Sequence, residues 1–276
     1  MKLDMHCHTK EGSLDGKVSI EEYIVRLKEL GYDGMLITDH NSYDAYRYWK
    51  KHIKGQKYTD FVVLKGIEYD TSNAGHMLVV MPENVKLKIL ELRGMPLPLL
   101  IFIVHKFGGI LGPAHPFGEK YMSLGGTGFF KKNPDILDKF DFMETFNSCE
   151  PAQANMQARK AAADHHLPGF GGSDSHRMNC IGTAYTRLPR RIETESQLIE
   201  LVKEKAAIQS GGSLYGGTTR DKIGKVHNVL LYSFWVYNKA AGLARMPGRR
   251  GQSRYLEIPR SRNGYQKEEI EGKKEF

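Results

Sequence analysis

Cysteine is scarce in this sequence. Cys7, Cys149 and Cys180 are the only three, odd in number and far apart. That excludes a disulfide framework and suits a reducing compartment. Long apolar runs are missing too. The best are residues 97–104, broken by Pro98, and 229–237, broken by Ser233. Both fall well short of the roughly 20 residues that cross a bilayer. Met1-Lys2-Leu3-Asp4 leads straight into polar residues without a secretory pattern. The expected setting is therefore cytoplasmic, with no membrane partner. There is no internal repeat, no Walker loop, no zinc-finger spacing and no serine or cysteine triad. What is present, 276 residues at 40% hydrophobic and 26% charged, suits a globular chain of one large domain plus an appendage.

The net charge of +8 is uneven. Residues 215–276 hold 13 Lys/Arg against 6 Asp/Glu, whereas residues 1–214 hold 27 against 26. Arg245, Arg249, Arg250, Arg254, Arg260 and Arg262 crowd together with Glu257 as the one acid among them. We expect a main domain over residues 1–215 and a basic C-terminal extension over 216–276. The extension reads as a helix near 229–241 followed by a solvated tail, with possible contact to nucleic acid or another anionic surface.

Along the main body, short apolar strands alternate with helices. Strands are expected at 2–8, 34–38, 61–67, 76–80, 110–113, 142–146 and 169–172. Ser19 with Glu22, and Thr194 with Gln197, are capping boxes that open helices. Further helices are expected at 43–52, 97–107 and 152–165, and residues 120–132 read as a loop that could cover a site. The alternation implies a parallel α/β architecture, nearer a barrel than a layered sheet.

The strands share one feature: they end in His, Asp or Glu. The first carries His6 and His8, which alternation puts on one face with Cys7 on the other. The next ends in Thr38-Asp39-His40-Asn41, the third in Gly66-Ile67-Glu68. Gly75-His76 opens the fourth, Ala114-His115-Pro116 closes the fifth, Glu144 ends the sixth, and Gly172-Ser173-Asp174-Ser175-His176 ends the seventh. In a parallel barrel these ends share a rim, where sites are built. Six of the 11 histidines fall there. Imidazole and carboxylate donors without thiolate suit Zn, Mn or Fe, and a carboxylate such as Glu68 can bridge two ions.

Together, Asp4-x-His6-x-His8-Thr9, Asp15-Gly16, Thr38-Asp39-His40-Asn41, Gly66-Ile67-Glu68, Gly75-His76, Ala114-His115-Pro116 and Ser173-Asp174-Ser175-His176 resemble the PHP (polymerase and histidinol phosphatase) family over about residues 1–215. The resemblance implies a distorted (β/α)7 barrel holding two or three divalent ions. One ion would be held by His6, His8, Glu68 and Asp174. A second would share Glu68 and add His76 and His115. A third would take Asp15, His40 and His176, with Glu11 as a rival to Asp15. Asp39 and Glu144 would orient ligands from behind.

Such a site suits hydrolysis of a phosphoester by a metal-bound hydroxide. The expected substrate is a phosphorylated small molecule or nucleotide, with Arg177 as the first-choice cation for its phosphate and Lys10 and Lys120 as lesser candidates. Cys7 is read as barrel packing. His52, His105, His165, His166 and His227 are read as structural or solvated. The alternatives are an oligonucleotide exonuclease, motivated by the basic extension, and a non-catalytic metal-binding or nucleic-acid-binding module. A histidinol phosphatase is less favoured because no residue selects that substrate.

Overall fold

The computed structural model describes residues 1–118 and 122–215, with isolated helical positions at Ser233, Val236 and Ala240. Lys120 and nearly all of the C-terminal extension, including His227 and the arginine cluster, lie outside the described residues. Nine strands and six α-helices follow one another among those described: β1 (Lys2–Cys7), α1 (Ile20–Glu29), β2 (Gly34–Ile37), α2 (Asp44–His52), β3 (Val62–Asp70), β4 (His76–Val80), α3 (Leu97–Lys106), β5 (Ile110–Pro113), α4 (Gly128–Lys132), β6 (Met143–Asn147), α5 (Ala152–Asp164), β7 (Gly169–Gly172), β8 (Ala184–Arg187), α6 (Glu195–Lys203) and β9 (Gln209–Gly212).

One sheet runs β5-β4-β3-β2-β1-β8-β9, and β6 pairs with β7. The two join at both ends. Asp141 N–H donates to Leu111 C=O at 3.0 Å, and Asp174 N–H donates to His6 C=O at 2.9 Å. Strands β1 to β7 thus close into a distorted α/β barrel. The expected all-parallel arrangement needs correction. β4 runs antiparallel to both β3 and β5, and β8–β9 is an antiparallel hairpin added to β1. Part of the expected 120–132 loop is helical, since α4 is capped by Thr127, whose side chain accepts from Phe130 N–H. Both capping boxes are formed as expected.

Alternation explains where the chemistry lies. The inward positions of each strand pass from apolar residues to polar ones: Leu36, Thr38, His40; Leu64, Gly66, Glu68; Phe142, Glu144; Phe170, Gly172, Asp174. The apolar members pack with Leu3, Met5, Leu78, Val80 and Ile110 and with Leu198, Leu201 and Val202 of α6. The opposite faces of the strands pack against α1 and α2, through Met35 and Ile37, and against α3 and α5, through Ile67, Val79 and Met143. The inner cluster fills one end of the barrel, and the donors occupy the other.

The reversal of β4 preserves this arrangement. It starts where its neighbours end, so His76 at its first position reaches the same rim as Glu68. β1 uses another device. Its pairing with β2 slips between Asp4 and Cys7, and such a bulge re-aims side chains. Leu3 and Met5 face the inner cluster, yet past the slip Cys7 packs with α1 and α2, so His6 and His8 take over the inward positions.

Candidate metal centre

Glu68 is the hub. It is 1% exposed, and its two oxygens face different partners. Oε1 lies 2.9 Å from His76 Nδ1 and 3.1 Å from His115 Nε2. Oε2 lies 3.0 Å from His40 Nδ1, 3.3 Å from His8 Nε2 and 3.5 Å from His6 Nε2. Asp174 Oδ1 stands 3.2 Å from His8 Nε2 and 3.7 Å from His6 Nε2. Asp15 Oδ2 stands 3.4 Å from His176 Nε2 and 3.8 Å from His40 Nε2. All nine residues expected as ligands therefore meet at one rim. Glu11 does not join them. Its carboxylate accepts Ile20 N–H at 3.1 Å, at the start of α1, so of the two rivals the structure places Asp15 at the cluster.

The donors fit divalent cations. Four groups each bring three ligand atoms within 4.8 Å of one another: His6, His8, Glu68; Glu68, His76, His115; His8, His40, His176; and His40, Asp70, His76. Asp15 Oδ1 is buried without a hydrogen-bond partner among the described residues, and Glu68 Oε2 and His40 Nδ1, though 3.0 Å apart, form no well-aligned hydrogen bond. Orphaned polar atoms of this kind are costly unless something outside the chain satisfies them.

The electrostatics divide the cluster: against burial, the carboxylates of Asp174, Glu144 and Glu68 push His6 up, and Asp15 pushes His176 up to about 9. Burial opposes ionisation of Glu68, but the imidazoles of His76, His40 and His6 hold its carboxyl well below the usual range. Burial, helped by His176, pushes His8 down to about 3, which leaves its imidazole neutral. Metal ligands need that form.

Behind the donors stands a set of orienting groups. His6 Nδ1 lies 2.9 Å from Glu144 Oε1, and Glu144 Oε2 accepts His115 N–H at 2.6 Å. Asn147 Nδ2 donates to Glu144 at 3.1 Å and to Asp174 at 3.2 Å. Asp39 accepts from Thr9 N–H at 2.7 Å and from Ser13 Oγ at 2.9 Å, and Ser13 Oγ in turn lies 3.2 Å from His8 Nδ1. Ser123 Oγ stands 3.2 Å from His115 Nδ1. Asp4 accepts from Ser173 N–H at 2.9 Å and so ties β1 to β7. Such partners fix the tautomer and aim of ligating histidines. Asn41, His115 and Asp174 take left-handed backbone conformations (φ 48°, 31° and 51°), where the chain turns sharply past the strand ends.

The sequence signalled Asp39 and Glu144 in this role and carried Asp4 in a family-like motif without a role, but did not signal Ser13, Ser123 or Asn147. Their only sequence mark is a polar residue beside a ligand or at the end of an apolar strand. Arg177 is exposed just outside the cluster, next to His176, and Lys10 is exposed on the facing loop. Cys7 is fully buried against α1 and α2.

Residues 4–139 match the PHP domain, and residues 152–207 match the PHP-associated family. The chain belongs to the PHP family. That is a family of metal-dependent hydrolases.

No curated protein matches the sequence. Among solved structures the fold is similar to that of PsfC from Pseudomonas syringae, with a TM-score of 0.57 and 17% identity, over 87% of this chain and 98% of that one. It is also similar to Endonuclease Q in complex with a 27-mer duplex substrate carrying an abasic lesion, with a TM-score of 0.56 and 18% identity. That match covers 81% of this chain and 61% of Endonuclease Q. A third similar structure is a protein from Bifidobacterium adolescentis, provisionally described as a metal-dependent phosphoesterase. Its TM-score is 0.51 and its identity 15%, over 74% of this chain and 96% of that one. Among the described residues no helix is long and apolar enough to cross a membrane.

Proposed function

We propose that this PHP-family chain is a metal-dependent phosphoesterase acting on phosphomonoesters or nucleotides. The observation that carries the reading is the convergence of imidazoles on both oxygens of buried Glu68. In it, His6, His8, Glu68 and Asp174 hold one divalent ion, Glu68, His76 and His115 a second, and Asp15, His40 and His176 a third. Bound Mn, Zn or Fe ions supply activated water at neutral pH and offset the charge developing on phosphoryl oxygens.

The chain's own residues do the rest. Glu144, Asn147 and the Asp39–Ser13 pair hold His6, Asp174 and His8 in place, so little reorganisation is needed when substrate arrives. Arg177, exposed beside His176, offers a fork of donors to a phosphate entering from solvent. No nucleophilic side chain is required.

A second reading, an oligonucleotide nuclease, is favoured by two observations. Residues 215–276 carry 13 Lys/Arg against 6 Asp/Glu, and the fold is similar to that of Endonuclease Q.

The test is inorganic phosphate release by the Mn-reconstituted protein from a panel of phosphomonoesters, nucleotides, 3′,5′-bisphosphates and short oligonucleotides, with and without chelator. Chelator-sensitive release is expected. A preference for oligonucleotides would move the assignment to the nuclease, and no release from any member would overturn both readings.

A further inference from the structure

His76 differs from the other rim histidines in how it is backed. Its Nδ1 faces Glu68, and its Nε2 lies 2.6 Å from Asp70 Oδ1. Asp70 Oδ2 in turn pairs with the Arg93 guanidinium. Both partners are largely shielded, with side chains 3% and 13% exposed. A carboxylate, an imidazole, a second carboxylate and a guanidinium thus stand in line, leading outward from the hub of the site. None of the family-like motifs in the sequence includes Asp70 or Arg93.

Local backbone contacts bring Arg93 to the end of this line. Residues 92–97 are strapped onto the end of β3 and the turn that leads into β4. Gly94 N–H donates to Asp70 C=O at 2.8 Å, and Ser72 N–H donates to Met95 C=O at 3.2 Å. Met95 N–H donates to the Tyr69 hydroxyl at 3.0 Å, that hydroxyl donates to Leu92 C=O, and Leu97 N–H donates to Asn73 Oδ1 at 3.0 Å. Gly94 itself sits at φ 95°, a conformation that lets the strap turn back immediately after Arg93. Asp70 N–H is held by Asn41 Oδ1 at 3.0 Å, which ties the same turn to the residue after His40.

We infer that Asp70 and Arg93 are positioning residues for His76, Asp70 holding the imidazole ring and Arg93 holding Asp70, so that together they set the affinity of the ion on the Glu68–His76–His115 side of the centre. The inference rests on the reading of His76 as a metal ligand. Asp70 is also within ligand-forming range of His40 and His76. The Arg93 pairing assigns it to holding rather than ligating, because a carboxylate already balanced by a guanidinium has less charge to offer a metal.

The test uses the full chain, stripped of metal and titrated with Mn2+ alone, comparing wild type with Asp70→Asn, Arg93→Ala and Arg93→Lys. Circular dichroism of each metal-free variant checks folding. Asp70→Asn and Arg93→Ala should weaken one class of bound Mn2+ about 10–100-fold, the range for outer partners of metal ligands. The remaining ions should keep wild-type affinity, and Arg93→Lys should recover part of the loss. Wild-type affinity in every class, or an equal weakening of all classes, would overturn the inference. Phosphate release plays no part in this readout. A chain that shows the Mn2+ pattern but hydrolyses nothing would overturn the phosphoesterase reading and leave this inference standing.

Discussion

Glu68 touches donors on both sides of its carboxylate, so its replacement reaches more than one ion. Glu68→Gln keeps the shape and removes the charge that the imidazoles of His76, His40 and His6 stabilise. We expect the purified variant to retain less than half of the wild-type metal, and phosphate release to fall by at least about 100-fold, beyond the 10–100-fold typical of an outer partner. Metal analysis after gel filtration, with circular dichroism as the fold check, decides it. Full metal content would remove Glu68 from the hub.

Glu144→Gln tests the layer behind. Glu144 stands 2.9 Å from His6 Nδ1 and receives His115 N–H, so in the proposed centre it serves two ligands without being one. Here a loss of about 10–100-fold in metal affinity is expected. Unchanged affinity would reduce Glu144 to a strand-end ion pair.

At the scale of elements, the close approach of β7 to β1 ties the site to the fold. A Cβ on Gly172 would lie 2.1 Å from His6 Cβ and 2.8 Å from His6 N. Gly172→Ala must therefore push apart two strands that both lead to proposed ligands, costing about 1–3 kcal/mol and weakening metal binding as well. Thr194→Ala is the contrast. It removes the cap of α6, far from the rim, and should cost about 1 kcal/mol with metal affinity untouched. Urea unfolding and Mn2+ titration of both variants separate the effects, and equal metal affinity in the two would show that β1 and β7 tolerate displacement.

The same elements show what the sequence could and could not reveal. The seven barrel strands were legible because each joins an apolar run to a ligand-type residue at one end. The direction of β4 was not, because a short buried strand such as His76–Val80 reads the same both ways. β8 and β9 escaped notice because Ala184–Arg187 and Gln209–Gly212 lack a sustained apolar alternation. The slip in β1 is a property of pairing rather than of residue type. Asp70 and Arg93 meet only because residues 92–97 fold back onto β3, which no local pattern announces.

At the scale of the whole molecule, the proposed ligands come from residues 6 to 176, so only the folded chain gathers them. Ions bound there stabilise the native state by mass action, about 2.7 kcal/mol per site at a free concentration 100 times Kd. For a domain of this size that corresponds to a fall in Tm of about 5–10 °C per site when chelator is added. Calorimetry with and without chelator checks it, and an unchanged Tm would mean that the rim binds no ion tightly.

The charge distribution supplies the last prediction. Residues 1–214, with 27 Lys/Arg against 26 Asp/Glu, are almost neutral, so they offer little general attraction to a polyanion. If the substrate is an oligonucleotide, the larger share of the sequence-independent part of its binding is expected from residues 215–276. Changing Arg245, Arg249, Arg250, Arg254, Arg260 and Arg262 to Gln in the full-length chain should then weaken oligonucleotide cleavage at least about 10-fold. It should also flatten the salt dependence by about 0.7 per lost phosphate contact on a single strand. Hydrolysis of a small phosphomonoester at the rim should be unchanged in the same variant, because the proposed metal ligands and their partners all lie within residues 1–215. Equal rates on both substrates would leave the small-ester assignment and remove the nuclease. Equal losses on both would place the basic segment in the chemistry of the rim rather than in capture of the substrate.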